Sequence, residues 1–257
     1  MQKVREAVIT AAVRTPIGAY GGALSTLQAT TLGSLVIAEV LKRSGVNPEQ
    51  VDEVIMGNVL TAGEGQAPAR QAAIYAGLPT SVACMTVNKV CGSGLKAVML
   101  AAQSIALGDA NIVIAGGMES MSNVPYYVPN ARFGFRMGHG EIIDGMIHDG
   151  LWDVYNKYHM GNAAELCARE CHIPREAQDE FAVLSYKRAL KAQKEGWFKE
   201  EIVPVTVKSR KQEILVDTDE EPQKVKFDKI EGLRPVFEKE GTVTAANASK
   251  LNDGASA

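Results

Sequence analysis

The segment VNKVCGSGLKAV, residues 87–98, sets a cysteine in the surroundings that would make its thiol a nucleophile. A strand-like run ends near Asn88, a tight turn contains Cys91, and Gly92 and Gly94 open an apolar helical pattern. A cysteine at or just before a helix N-terminus meets unpaired N–H groups and the positive end of the macrodipole, which favour the thiolate and lower the thiol pKa. Glycines at 92 and 94 let the backbone come close to a substrate without Cβ clashes. The N–H of Cys91 is expected to point at an oxygen on the attacked carbonyl, as in a strand–turn–helix nucleophile elbow. The competing reading is a buried cysteine in a glycine-rich turn. Cys84, seven residues earlier and without glycine neighbours, is the internal comparison and is assigned to packing.

A nucleophilic thiolate needs a base or an ion-pair partner. The sequence offers His139, His148, His159 and His172, and spacing pairs none of them with a cysteine. Cys167, Cys171 and His172 are close together, but no second cysteine pair or paired histidine follows. They read as packing cysteines on a helix, and no metal is expected. Gly116-Gly117 belongs to no complete G-x-G-x-x-G, and no G-x-x-x-x-G-K-[ST] occurs, which argues against nicotinamide or ATP. Those glycines are expected to permit close backbone approach beneath the Cys91 turn.

The elements that must position this turn alternate. Strands are expected at Ala7–Ala12 (buried), Val51–Val59, Val82–Asn88 and Asn111–Ala115. Helices are expected from Leu32 to Ser44, over 66–76 and from Leu95 to Leu107, with stops at Gly45, Gly77 and Gly108. This order implies crossovers and a mostly parallel sheet in an α/β fold. Residues 1–120 read as one α/β domain. Residues 121–240 read as an inserted loop-rich α+β domain, with one strong helix between Pro174 and Gly196 and a β-like piece at Ile202–Val207. From 241 to 257 the strand-like pattern returns, and the chain reads as stopping inside an unfinished domain. The helix from Leu95 to Leu107 is too uniformly apolar to face water on any side and expects cover.

The 257 residues are 46% hydrophobic and 22% charged with a net charge of −3, enough for real cores and without the basic excess that nucleic acid needs. No uninterrupted apolar run approaches about 18–20 residues, so no membrane span is expected. The N-terminus lacks a signal-peptide or transit-peptide pattern, so a cytoplasmic protein with reduced cysteines is the expectation.

Seven segments together carry a resemblance: RTPIGAYGGAL (14–24), GNVLTAGEGQAPARQAAIYAGLP (57–79), VNKVCGSGLKAV (87–98), GGMESMSNVPY (116–126), YHMGNAAE (158–165), LRPVF (233–237) and GTVTAANASKLNDGASA (241–257). From residue 4 onward the chain resembles the first two-thirds of the thiolase family, the acetyl-CoA acetyltransferase type especially. The resemblance implies the N-terminal half of an αβαβα layered core. It also implies acyl transfer between coenzyme A thioesters through an acyl-cysteine, here on Cys91, by two-step covalent catalysis. It places CoA contact largely in the inserted domain. Leu151, His159 and Met160 would line the pantetheine tunnel, Phe237 would pack near the adenine, and Ala245 and Ser249 would hold the pantetheine arm. Acetyl-CoA and acetoacetyl-CoA or another 3-ketoacyl-CoA are the implied substrates, with no permanently bound cofactor and a homo-oligomer, dimer or tetramer, of the full-length protein.

Two departures stand against the family pattern. Gln223 occupies the place where an arginine commonly contacts the nucleotide; Lys224 or Lys226 would replace its charge only as a point charge. The Asn-Glu-Ala-Phe, Gly-His-Pro and C-x-G-G-G segments of thiolases, which activate Cys91, run the Claisen step and complete the oxyanion hole, do not occur in these 257 residues. The chain is therefore expected to be a fragment that is inactive alone. The alternatives are a non-catalytic CoA-binding fragment and one subunit of a split thiolase. A ketoacyl-synthase-like enzyme is disfavoured by the H-M-G and N-A-S-x-L-N-D-G segments.

Overall fold

The computed structural model describes residues 4–208 and 212–257. The chain divides into two compact units, the first comprising 1–125, 199–218 and 252–257, the second 126–198 and 219–251.

The first unit is built on a five-stranded sheet. In chain order its strands are β1 (Gly18–Ala19), β2 (Glu53–Gly57), β3 (Ala83–Val87), β4 (Val113–Ser120) and β11 (Asn252–Ser256). Their spatial order is β1-β11-β4-β2-β3; β2 runs parallel to β3 and β4, and β11 runs antiparallel to both β1 and β4. Helices α1 (Ala29–Ser44), α2 (Pro68–Tyr75) and α3 (Ser93–Leu107) make the crossovers. The parallel α/β pattern expected of the first 120 residues is present, and Gly45 and Gly108 end α1 and α3 in the left-handed conformation. Leu32, Val36 and Ile37 of α1, Val54 and Met56 of β2 and Ala72 of α2 are fully buried in one core.

Three details differ from expectation. Residues 7–12 are not a buried strand: Val8 and Ile9 are largely exposed, and ladder pairing begins only at Val13, which exchanges both backbone hydrogen bonds with Ala257. An apolar run becomes a buried strand only when something pairs with it and covers it, and no described residue does both here. Strand β4 runs on through Gly116-Gly117 to Ser120, because β11 pairs with that stretch from Gly117 onward. Cys167 and Cys171 are exposed rather than packed.

Helix α3 lays Ser93, Ala97 and Ala101 inward and leaves Leu95, Val98, Met99 and Leu107 exposed. The segment Val90–Leu107 is long and apolar enough, by length and composition, to cross a membrane. A helix laid on a sheet and covered by further protein has the same composition. With residues 7–14 and β4, α3 walls an apolar groove.

Two further strands of the first unit, β9 (Val205–Lys208) and β10 (Glu213–Val216), pair antiparallel, and Val205 and Val207 join the core. The second unit holds α4 (Met160–Glu170) and α5 (Arg175–Glu195) with short strand pairs β5–β6 (Tyr126–Tyr127 with Ile143–Asp144) and β7–β8 (Trp152–Asp153 with Tyr158–His159).

Candidate functional site

Cys91 lies where β3 turns into α3, and its side chain is exposed. The turn is tied by its own side chains. Asn88 accepts at Oδ1 from the N–H of Val90 at 3.0 Å. Ser93, buried, accepts at Oγ from the N–H of Lys89 at 2.8 Å and donates to the Val90 carbonyl at 2.6 Å. Backbone bonds from Gly92 to Lys89 and from Ser93 to Val90 close it. Val90 sits at φ 48°, a left-handed conformation that a β-branched residue adopts only when its surroundings impose it. The strain falls one residue before the cysteine.

Below the turn, Val87, Gly57 and Gly117 stand abreast on β3, β2 and β4. The start of α3 rests on this row. A Cβ at Gly57 would come 2.5 Å from the Ser93 carbonyl carbon and 2.6 Å from the Gly94 nitrogen, and one at Gly117 would come 3.3 Å from the Gly94 Cα. The expected close approach beneath Cys91 is thus made by Gly117 with Gly57, while Gly116 faces the Ser256 carbonyl instead.

Around the same sheet edge is a polar network that sequence reasoning missed. Glu119, at the end of β4, accepts from the N–H groups of Val59 and Leu60 at 2.9 and 3.0 Å and from Asn58 Nδ2 at 3.0 Å. Asn88 Nδ2 in turn reaches the Val59 carbonyl at 3.5 Å. Only an acidic residue just after a glycine pair, facing a glycine- and asparagine-bearing loop, could have signalled it.

The comparison cysteine behaves differently. Cys84 is half-buried on β3, packs against the core and directs Sγ to the Val82 carbonyl at 3.5 Å; burial pushes its thiol pKa up. Since the thiolate is the reactive form, iodoacetamide is expected to label Cys91 before Cys84, read by peptide mass spectrometry over a time course. Equal rates would remove the distinction between the two sites.

All four histidines belong to the second unit, so no imidazole is among the side chains of the unit that carries Cys91. His139 and His172 are exposed, and His148 Nδ1 lies 2.8 Å from Asp149 Oδ1, within hydrogen-bond distance. His159 is part of a construction. It caps α4, with Nδ1 accepting from the Gly161 N–H at 3.0 Å, and burial lowers its pKa, so the ring is neutral with its proton on Nε2. Its ring stacks on Phe237, with centroids 5.0 Å apart and 20° between planes. Gly161 lets the Phe237 ring lie directly on the first turn of α4, where a Cβ would collide with it. Met160 is the first, part-exposed residue of that helix. Leu151 ends a single π-helical turn just before Trp152, which pairs with His159.

The stretch after Phe237 is fastened to α4 by Glu165. This carboxylate, 2% exposed, accepts from the N–H groups of Thr242 and Val243 and from Thr242 Oγ1, all within 3.0 Å, and these bonds hold its pKa down against burial. Asn247 accepts from the Thr244 N–H at 2.7 Å and donates to Asp179 on α5 at 2.9 Å. On the loop thus braced, Ala245 and Ser249 are both exposed. The structure therefore gathers His159, Phe237, Met160 and Leu151 around one helix start, and holds Ala245 and Ser249 on a separate braced loop of the same unit. Gln223 and Lys224 are exposed, and Lys224 is ion-paired with Glu220 at 2.7 Å.

The chain matches the family model described as "Thiolase, N-terminal domain" over residues 7–257. It is 60% identical over 254 residues to an acetyl-CoA acetyltransferase of Cupriavidus necator, covering 98% of this chain and 65% of that protein. An acetyl-CoA acetyltransferase of Schizosaccharomyces pombe is 56% identical over 254 residues, 98% of this chain and 64% of its own length. Among solved structures, the crystal structure of the Bacillus anthracis acetyl-CoA acetyltransferase superposes with a TM-score of 0.96 at 43% identity, covering all of this chain and 65% of that one. The chain thus spans just under two thirds of the length of these relatives.

Proposed function

We propose, from the premise that the chain belongs to the thiolase family, that it carries the nucleophile and much of the coenzyme A site of an acetyl-CoA C-acetyltransferase. The single observation that supports this best is the Cys91 turn: an exposed cysteine at the start of a helix, held by Asn88 and Ser93 and seated on Gly57 and Gly117.

In this reading Cys91 Sγ attacks the thioester carbonyl of acetyl-CoA, whose C–S bond breaks so that CoA leaves as the thiol, or the 3-keto carbonyl of a 3-ketoacyl-CoA, whose C2–C3 bond breaks so that acetyl-CoA leaves once its methylene carbon takes a proton. Either way the acyl group stays on the cysteine until a second acceptor takes it. The first unit acts as the nucleophile-bearing domain and the second, 126–198 with 219–251, as the CoA-binding insertion, narrower at 199–218 and longer at its end than the 121–240 expected from sequence. Leu151, His159 and Met160 contact the pantetheine, Phe237 the adenine end, and Ala245 and Ser249 the arm between. The stacked, neutral His159 favours an uncharged ligand surface, which suits a pantetheine chain. Gln223 gives up the arginine fork for the nucleotide, and Lys224 is already engaged by Glu220. The setting is cytoplasmic and the assembled enzyme a homo-oligomer.

The Gly-His-Pro and C-x-G-G-G segments do not occur in this sequence, and the apolar face of α3 with Val8 and Ile9 lies open. We therefore propose that the 257-residue chain does not turn over acetoacetyl-CoA alone and that this face is covered by further thiolase polypeptide. An exposed patch of this kind drives association. The purified chain is expected to elute as oligomers in size-exclusion chromatography with light scattering and to show only background thiolysis. A monodisperse monomer that cleaves acetoacetyl-CoA would overturn both statements.

A further inference from the structure

Two part-buried carboxyl groups of the first unit, Glu64 and Glu119, have no part in acyl transfer at Cys91 as described. Burial pushes the Glu119 carboxyl pKa up, but three donors directed at it favour its ionised form. Glu64 differs. Its Oε2 is sealed from solvent and has no hydrogen-bond partner among the described residues, and the same holds for Oδ1 of Asn58, a side chain only 1% exposed. Reversing the Asn58 amide would not help. Its Nδ2 already donates to the Met118 carbonyl at 3.2 Å and to Glu119 at 3.0 Å, so a flipped amide would aim oxygen at two acceptors.

Among the described residues, no cation acts on the Glu64 carboxyl. From β4, Glu119 contributes a like charge, and from the loop after β2, Asn58 contributes an amide. From α2, Gln71 donates to the main-chain carbonyls of Glu64 and Gln66, while Arg70 donates to the carbonyls of Thr80 and Val82. On β11, beside β4, Asp253 is taken up by Ser120 and Ser122. Two sealed acceptors and a second carboxyl are costly together unless one oxygen carries a proton.

We propose that Glu64 is kept as the neutral acid beside ionised Glu119, and that this single negative charge holds the 58–60 loop and, through Asn88, the Cys91 turn in place. Burial first, and then the charge of Glu119, push the Glu64 carboxyl up to about 7, against the lowering effect of Asn58. The link to the turn runs from Glu119 to the Val59 and Leu60 N–H groups, from the Val59 carbonyl to Asn88, and from Asn88 to the N–H of strained Val90. Only the consequence for Cys91 rests on the function proposed above; the proton on Glu64 does not.

An acid with a raised folded-state pKa makes its neutral form the stable one. Folded stability is therefore undiminished below the ordinary carboxyl range and falls as pH rises from there to about 7. Beyond that, both folded and unfolded forms are ionised and the penalty is constant.

The experiment is infrared spectroscopy and thermal melting of the 257-residue protein and its Glu64→Gln variant between pH 5 and 8.5, with iodoacetamide labelling of Cys91 in parallel. The wild type should show the C=O stretch of a protonated carboxyl at pH 6 that fades near pH 7 and is missing from the variant. The variant should melt above the wild type at pH 8, by a margin that shrinks at pH 5. The ratio of Cys91 labelling rates, variant over wild type, should rise severalfold as pH passes 7. Absence of the band, or a melting margin that ignores pH, overturns the protonated Glu64. A labelling ratio that stays at one overturns its hold on the turn. Should the variant not fold, the pH titration of the band in the wild type decides. None of these readings requires acyl transfer, so a cysteine that never takes an acetyl group would sink the proposed function and leave this result standing.

Discussion

Replacing Cys91 by alanine will abolish covalent capture of an acetyl group from acetyl-CoA and, in the assembled enzyme, lower turnover of acetoacetyl-CoA by on the order of 10⁴-fold or more, as removal of a covalent nucleophile does elsewhere. Alanine removes only Sγ, and the side chain is exposed, so the melting temperature should hardly move. The turn is tied by Asn88 and Ser93 rather than by the cysteine itself. Intact-mass spectrometry after incubation with acetyl-CoA and steady-state kinetics give the two readings. Turnover that survives to within about tenfold would mean another group carries the acyl chain, and would remove the central assignment.

Gly57→Ala is expected to damage the site directly. Its Cβ would have to share space with the Ser93 carbonyl carbon and the Gly94 nitrogen, both backbone atoms of the first turn of α3. A backbone neighbour cannot rotate away, so the helix start must lift from the sheet. Overpacking of this sort costs about 1–3 kcal/mol, which for a protein of this size means a drop in melting temperature of roughly 2–4 °C per kcal/mol. Because the displaced turn is the one that carries Cys91, the labelling rate of that thiol should change as well. Gly92→Ala is the contrast: at φ −88° and with only the Lys89 carbonyl at 3.5 Å, it admits a methyl and should melt close to the wild type. Equal melting temperatures for the two variants would contradict the seating of α3 on the glycine row.

Much of this was legible in the sequence because it is written in short-range terms. Apolar periodicity and glycine stops located α1, α2, α3 and the central strands, and the cysteine between a strand and two glycines located the turn. The residues that steady that turn were not legible. Glu119 lies about sixty residues from Val59 and Leu60, and nothing in local spacing tells an acidic residue at a strand end from a solvated one. Residues 7–12 went the other way. Their composition asked for a buried strand, but burial is supplied by partners, and the described chain places Val8 and Ile9 in the open. Cys167 and Cys171 failed for the same reason: helical spacing fixes which face a residue shares, not whether that face is covered. In the second unit, His159 and Phe237 are singled out by resemblance alone, and their stacking on each other was not legible, since the contact bridges most of eighty positions.

Strand β11 occupies an interior place in the sheet, between β1 and β4, although it is made of residues 252–256. During synthesis, the ribosome will have extruded β1 and β4 long before the strand that must slide between them exists. Until then β1 lacks the strand it pairs with in the sheet, and so does one side of β4. The nascent first unit must wait with an open seam while the second unit, encoded in between, is free to form. Non-local pairing of this kind slows folding, and an unfilled strand slot is an invitation to other extended chains. Cellular yield should therefore be limited by what shields that seam until residues 252–256 have been made rather than by the stability of the paired sheet.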